Sequence, residues 1–378
     1  MSRFGNPATV NYVTKMPPTL QNQLETALTS CCLPWNGETL AEAGAQVVSG
    51  ASGQPEISIS LGYSVGPSAQ RLREDLAATL GEGLSAADVP LQLTGQIRAH
   101  AVQGTLAPVA GIRNIIAVSS AKGGVGKSTI AANLALALAH EGARVGVLDA
   151  DIYGPSQPIM LGVADEQPVS RDGKTFEPIS ALGLQMMSIG SLVDTDQPMV
   201  WRGPMVTQAL NQLLFQSNWD ELDYLIVDMP PGTGDIQLTL SQKIPVSGAV
   251  LVTTPQDIAL ADAIRGLRMF EKVNIPVLGL VENMSSFVCP GCGETTPLFG
   301  AGGGADVARD NDLPLLGQMP LDIRIREETD SGKPTVAAEP DSLLGLAFRD
   351  MALRTAAALA ERPRDYKGKF PGVRVEHS

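Results

Sequence analysis

Three stretches of this chain carry residue types suited to phosphate chemistry, and a fourth carries a pair of thiols. The first is NIIAVSSAKGGVGKSTIAAN, from Asn114 to Asn133. Its apolar Ile115–Val118 reads as a buried strand, and Ser128–His140 has the alanine and leucine content of a helix. Between and beside them lie Ala121, Lys122, Gly123, Gly124, Val125, Gly126, Lys127, Ser128 and Thr129. Glycines there let the backbone curl until successive N–H groups point at phosphate oxygens. The positive end of the following helix strengthens that field. In this strand–loop–helix context Lys127 is expected to reach the β- and γ-phosphates of ATP, and the Ser128 hydroxyl to ligate magnesium.

The second stretch, LIVDMPPGTGD, places Asp228 after an apolar strand, where it would hold magnesium through water. Gly232 is placed for its N–H to approach the γ-phosphate, on a Pro-Gly run able to move when that phosphate leaves. The third, VLDADIYGPS, puts Asp149 and Asp151 at another strand end. Two carboxylates beside a phosphate site are costly unless solvated or near a cation, and magnesium with a polarised water supplies the reason. Three phosphate motifs in this order predict an ATPase site.

The thiols are Cys289 and Cys292 in FVCPGCG. A CxxC lets two thiolates face one metal while its proline and glycines expose N–H groups to the sulfurs. One pair is half of a four-thiolate site, and the chain has no second suitable pair, so a complete site implies a homodimer. The adjacent Cys31 and Cys32 suit no common chelating spacing and read as small buried hydrophobes.

Ala121 stands where the strict phosphate-loop pattern has glycine, and Lys122 adds a lysine at the loop entrance. KGGVGKST with this extra lysine resembles the deviant loop of the MinD, ParA and nitrogenase-reductase class. That resemblance implies that Lys122 reaches the nucleotide of a partner subunit, that Asp151 orients or activates the attacking water with Asp149 more structural, and that Asn283 contacts adenine. AKGGVGKST, VLDADIYGPS, MVWRGPM (Met199–Met205), YLIVDMPPGTGD, VENMS and CPGCG in this order resemble the Mrp/ApbC family of iron–sulfur cluster carriers. The family implies an ATP-hydrolysing scaffold that binds a [4Fe–4S] cluster across a homodimer, through Cys289 and Cys292, and passes it to apo iron–sulfur proteins. Two other readings stand beside it. A zinc-stapled dimeric ATPase would use the same thiolates, with a redox disulfide at Cys289 and Cys292 as a weaker variant. A ParA/MinD-like positioning ATPase would move on DNA or membrane.

The elements that must position these groups are legible as short apolar runs. Ile115–Val118, Val145–Leu148, Tyr224–Val227, Ala249–Val252, Val277–Val281 and Leu315–Gly317 alternate with helical stretches, ending in a helix over Ser342–Ala360. The pattern predicts an α/β fold, a mostly parallel sheet with helices on both faces. Ligands of such sheets bind beyond the carboxyl ends of the strands. Residues 1–105 read as a small α/β N-terminal domain. Its helices are expected at Leu20–Leu28 and Ser68–Leu80, and its strands at Ala45–Val48, Ile57–Leu61 and Leu91–Ile97. It resembles the domain often fused ahead of these carriers, although their usual Asp-Pro is Leu33-Pro34 here. Residues 106–113 read as a linker, 114–361 as the ATPase domain and 362–378 as a polar, solvated tail.

The formal charge of −13 over 378 residues disfavours nucleic acid and anionic lipid as partners. A basic amphipathic helix at the extreme C-terminus, which a membrane-positioning ATPase would use, is absent from the sequence pattern. No run reaches the roughly 18 apolar residues of a membrane span, and the N-terminal MSRFGNPATVNYVTKMPP lacks the apolar core of a signal peptide. Four cysteines argue against a disulfide scaffold. A cytoplasmic protein is expected.

Overall fold

In the computed structural model the described residues are 18–81, 85–104, 106–152, 154–192 and 203–364. The first 17 residues, Tyr153, Met199–Arg202 of MVWRGPM and the tail from residue 365 lie outside them. Two compact units divide the chain, residues 1–60 with 69–94 and residues 61–68 with 95–378.

The smaller unit orders α1 (Pro18–Ser30), β1 (Gln46–Ser49), β2 (Pro55–Leu61), α2 (Ser68–Leu80) and β3 (Leu91–Gly95). Its sheet runs β1-β2-β3, with Val47 opposite Ile57 in an antiparallel pair. Alternation along β2 buries Ile57 and Ile59 and turns Ser58 and Ser60 outward. Leu24 of α1 and Leu72 and Leu76 of α2 are fully buried, as are Leu33, Trp35 and Leu40. Leu33, which stands where the resembling carriers have the acid of Asp-Pro, is therefore a core residue. Cys31 is buried and Cys32 exposed. Burial and then the nearby Asp75 carboxylate push the Cys31 thiol up.

In the larger unit the chain enters the sheet earlier than residue 114. Gln103 donates to the carbonyls of Ser241 and Ile244, both at 2.7 Å, and the His100 N–H donates to Asn114 Oδ1 at 3.0 Å. Val109 is buried in the main core. These contacts hold residues 100–109 against the large sheet and the helix Asp235–Lys243. The stretch 106–113, expected as a linker, contains buried Val109 and the start of a strand at Ile112.

The elements that follow are β4 (Ile112–Ser119), α3 (Lys127–His140), β5 (Val145–Asp149), α4 (Gln157–Met160), β6 (Ile179–Ala181), β7 (Leu184–Ser188), α5 (Gly203–Phe215) and β8 (Leu222–Asp228). Then come α6 (Asp235–Lys243), β9 (Gly248–Thr253), α7 (Asp257–Lys272), β10 (Val277–Val288), β11 (Thr295–Thr296), α8 (Gly303–Asp310), β12 (Leu315–Leu321), α9 (Ile323–Asp330), α10 (Thr335–Ala338) and α11 (Leu343–Ala360).

Strand order is β11-β10-β9-β4-β8-β5-β7-β6, with β12 also on β10. Every pair is parallel except β6 with β7 and β10 with β11. On one face Ile115, Ala117, Leu225, Val227, Ala249 and Leu251 pack with apolar residues of α5, α6 and α7. Their alternating neighbours Ile116, Val118, Ile226 and Val250 are equally buried on the other face, where α3 and α11 pack together against the sheet. Burial on both faces is why these strands read as unbroken apolar runs. No helix among the described residues is long and apolar enough to cross a membrane.

Candidate functional site

Strand β4 lies at the centre of the sheet, so the loop after it opens where strand ends on either side converge. Gly124 and Gly126 take φ of +81° and +82°, the left-handed region open to glycine. That turn brings the chain into α3 with no side-chain cap, leaving the helix's first N–H groups facing the loop. Ala121 is half-buried and Lys122, Gly123 and Gly124 are exposed. Val125 and Lys127 are buried, with Gly126, Ser128 and Thr129 between these extremes. The two lysines thus face different surroundings, Lys122 the solvent and Lys127 the carboxylates.

Register explains which carboxylates meet. Val118 of β4 pairs with Asp228 of β8, and Asp228 pairs with Asp149 of β5. Both acids are fully buried, side by side at neighbouring strand tips. Burial, and then the Asp228 charge, push the Asp149 carboxyl up to about 7. Asp149 accepts from the N–H groups of Asp151 (3.1 Å), Ser156 (2.9 Å) and Gln157 (3.0 Å) and from Ser188 Oγ (3.3 Å). It organises the loop that follows its own strand.

Lys127 Nζ donates to Asp228 Oδ1 and lies 3.2 Å from Ser128 Oγ and 3.7 Å from Asp151 Oδ2. Asp151 keeps 8% of its surface. Among the described residues Lys127 is set against Asp151 and Asp228 with Asp149 beside them, a surplus of negative charge partly relieved by the raised Asp149. A divalent cation fits that surplus, and Ser128 and Asp228 are the oxygen donors that hard cations prefer. Further amides brace the site. Gln157 Nε2 donates to Asp228 Oδ2, Gln237 Nε2 to Ser119 Oγ, and Asn283 Nδ2 to Val125 O at 2.9 Å. The Gly232 N–H donates to Ser120 O at 2.8 Å, which ties the Pro-Gly run to the phosphate loop. A cavity of about 400 Å³ opens beside Asp151, lined by Pro230, Pro231, Gly234, Asp235, Ile236 and Gln237.

The thiols sit on a separate device. β10 runs through Glu282–Val288 and turns back at β11, pairing Phe287 with Thr296 and Val288 with Thr295. Residues 289–294 form the hairpin tip. Its turn is fixed by the Cys289 N–H on Glu294 O (2.9 Å) and the Gly293 N–H on Cys289 O (2.8 Å). Cys289 is half-buried and Cys292 exposed. The N–H groups of Cys292 and Gly291, followed by the Cys292 thiol, hold the Cys289 thiol below its usual range. No group of three or more His, Cys, Asp or Glu placed to hold a metal occurs among the described residues.

A family profile described as NUBPL iron-transfer P-loop NTPase, of the ParA type, matches residues 111–356. The chain belongs to the iron-transfer P-loop NTPase family. An iron-sulfur cluster carrier protein of Pseudomonas fragi is 54% identical over 279 residues, 74% of this chain and 96% of that one. The protein of that name in Escherichia coli strain K12 is 60% identical over 249 residues, 66% of this chain and 68% of that one. The iron-sulfur cluster transfer protein NUBPL of Dictyostelium discoideum is 48% identical over 69% of this chain and 81% of its own. Among solved structures, a nucleotide-binding protein of Archaeoglobus fulgidus in complex with ADP superposes with a TM-score of 0.54. It is 38% identical, covering 62% of this chain and 93% of that one. The fold is that of the P-loop NTPases, as its strand order and loop placement require.

Sequence reasoning passed over Gln157, Gln237 and Glu282. Glu282 is fully buried on β10 and accepts from the Gly304 N–H at 2.5 Å and Gln318 Nε2 at 2.8 Å. Amides and a lone acid inside polar stretches carry no periodic signal, and only the strand register reveals what they face.

Proposed function

We propose that this chain is an ATP-dependent iron–sulfur cluster carrier that binds a [4Fe–4S] cluster between two copies and passes it to apo iron–sulfur proteins. The observation that carries this is the pair of accessible thiols at one hairpin tip, joined by β10 to an ATPase-type loop. The names of the relatives in Pseudomonas fragi, Escherichia coli and Dictyostelium discoideum support the cargo. Two thiolates per chain supply half of a four-thiolate cluster site, and a homodimer supplies the rest. A cytoplasmic location belongs to the same reading.

Roles follow from placement. Lys127, held by buried carboxylates, swings to the β- and γ-phosphates when ATP supplies a stronger counter-charge. Magnesium held by Ser128 and, through water, by Asp228 would neutralise charge developing on the phosphate oxygens. Asp151 orients and activates the attacking water, since of Asp149, Asp151 and Asp228 it alone retains access to solvent. N–H groups of Gly123, Gly124, Val125, Gly126 and Thr129 wrap the phosphates. Exposed Lys122 reaches the nucleotide of the partner subunit, and Ala121 keeps the loop entrance small. Gly232 follows the γ-phosphate after exchanging its bond to Ser120, and Asn283 stands at the adenine side while bracing Val125.

The test is transfer. Protein reconstituted anaerobically with iron and sulfide should restore activity to an apo enzyme that needs a [4Fe–4S] cluster, and protein lacking either cysteine should not. Equal transfer by a Cys289→Ser, Cys292→Ser double variant would refute the carrier reading.

A further inference from the structure

Gln157 has figured so far only as a brace on Asp228, yet it is fully buried at the first position of α4 and touches three parts of the phosphate site. Its backbone N–H donates to Asp149 Oδ2 at 3.0 Å. Its side-chain Nε2 donates to Ser128 O at 3.0 Å and to Asp228 Oδ2 at 2.9 Å. The amide nitrogen carries two hydrogens and the amide oxygen none, so only this orientation satisfies two acceptors. Turned over, the amide would set Oε1 against two oxygens.

The remaining end of the amide is therefore fixed by elimination. Oε1 is buried with no hydrogen-bond donor among the described residues, and the hydroxyl of the adjacent Ser156 is buried without a partner in the same sense. Buried side-chain acceptors are nearly always satisfied by protein or by ordered water. An orphaned acceptor on a side chain already bonded to Ser128 and Asp228 calls for a donor that arrives with the ligand. Water bound to a divalent cation is such a donor, because the cation polarises its O–H bonds.

We propose that Gln157 is a positioning residue of the magnesium site. Its Nε2 sets the orientation of Asp228, and its Oε1 accepts a hydrogen bond from a water of the magnesium shell. The inference rests on the reading of Ser128 and Asp228 as the magnesium groups. It adds a partner outside the metal's own ligands, of the kind that tunes affinity.

Mn²⁺ is a suitable probe, titrated into the ADP complex of the full chain and followed by electron paramagnetic resonance. Gln157→Met keeps the volume and removes both ends of the amide. Mn²⁺ should then bind about tenfold or more weakly, while ADP affinity in EDTA stays at its parental value. The melting temperature of the nucleotide-free protein falls, because Ser128 O and Asp228 Oδ2 each lose a donor. Unchanged Mn²⁺ affinity overturns the proposal. So does an equal fall in metal-free ADP affinity, the mark of an amide that only pins α4 to α3. A crystal structure of the parent with ADP and Mg²⁺ decides the matter without any variant. A metal-shell water within about 3.2 Å of Gln157 Oε1 supports it, and an Oε1 satisfied by any other group overturns it. A parent that binds no Mn²⁺ beyond what ADP itself holds would instead overturn the magnesium reading beneath it.

Discussion

Lys127 faces Asp151 and Asp228, with Asp149 beside them, and it is 6% exposed. Replacing it with alanine removes a charge on which both folding and nucleotide binding draw. Breaking a buried pair costs about 3–5 kcal/mol where the orphaned acid cannot take up a proton. Lys127→Ala should therefore lower the denaturation midpoint of the nucleotide-free protein. It should also weaken ATP binding by about 10- to 100-fold in calorimetry, the worth of a charge-assisted hydrogen bond. Unchanged turnover would remove Lys127 from the phosphate site. Asp151 makes a cleaner separation. Asp151→Asn keeps the shape and loses the charge, so ATP should still bind while hydrolysis per bound nucleotide slows by about 10²-fold or more. Lost binding with normal hydrolysis per bound ATP would assign the catalytic role elsewhere.

Strand β10 joins the two chemistries of the chain. Asn283 braces the phosphate loop at Val125, Met284 takes a left-handed φ of +56°, and the strand then continues to the cysteine hairpin. The six residues Asn283–Val288 span at most roughly 20 Å of extended chain. The brace leaves no room behind the loop, where a methyl group added at Gly126 would collide with Asn283 Nδ2. Gly126→Ala adds the strain of a left-handed alanine, about 1–2 kcal/mol, to that collision. It should lower stability in urea denaturation by at least this amount and weaken ADP binding. A variant with parental values of both would show that the loop relaxes freely.

The same strand marks the limit of what the sequence discloses. Val277–Val281 was legible as an apolar run, but β10 continues to Val288 through ENMSS, whose polar residues resemble a loop. Pairing with β12 and β11 holds that part in the sheet, a contact that local composition does not record. Strands β6 and β7, of three and five residues, were too short for periodicity to register. The phosphate loop, Asp228 and the CxxC stand out in the sequence because their candidate chemistry is written in local spacing, and Asp151 because the resemblance points to it. Gln157 was not, because its partners Ser128 and Asp228 lie 29 and 71 positions away.

At the scale of the whole molecule the net charge and the proposed pairing of thiols across two copies can each be tested. With a formal charge of −13 the protein should show no useful binding to duplex DNA or anionic liposomes at physiological salt. ATP-dependent, salt-sensitive binding to either would favour a positioning ATPase. The central claim concerns Cys289 and Cys292. Four thiolates from two identical pairs can surround one cluster only on a twofold axis, and each serine substitution removes two of them by symmetry. The direct measurement is the iron and sulfide content of anaerobically reconstituted protein resolved by oligomeric state. About four irons with matching sulfide per dimer, abolished in Cys289→Ser while ATP binding persists, is the predicted result. A complete cluster on a monomer, or about one zinc per dimer with no acid-labile sulfide, would contradict it.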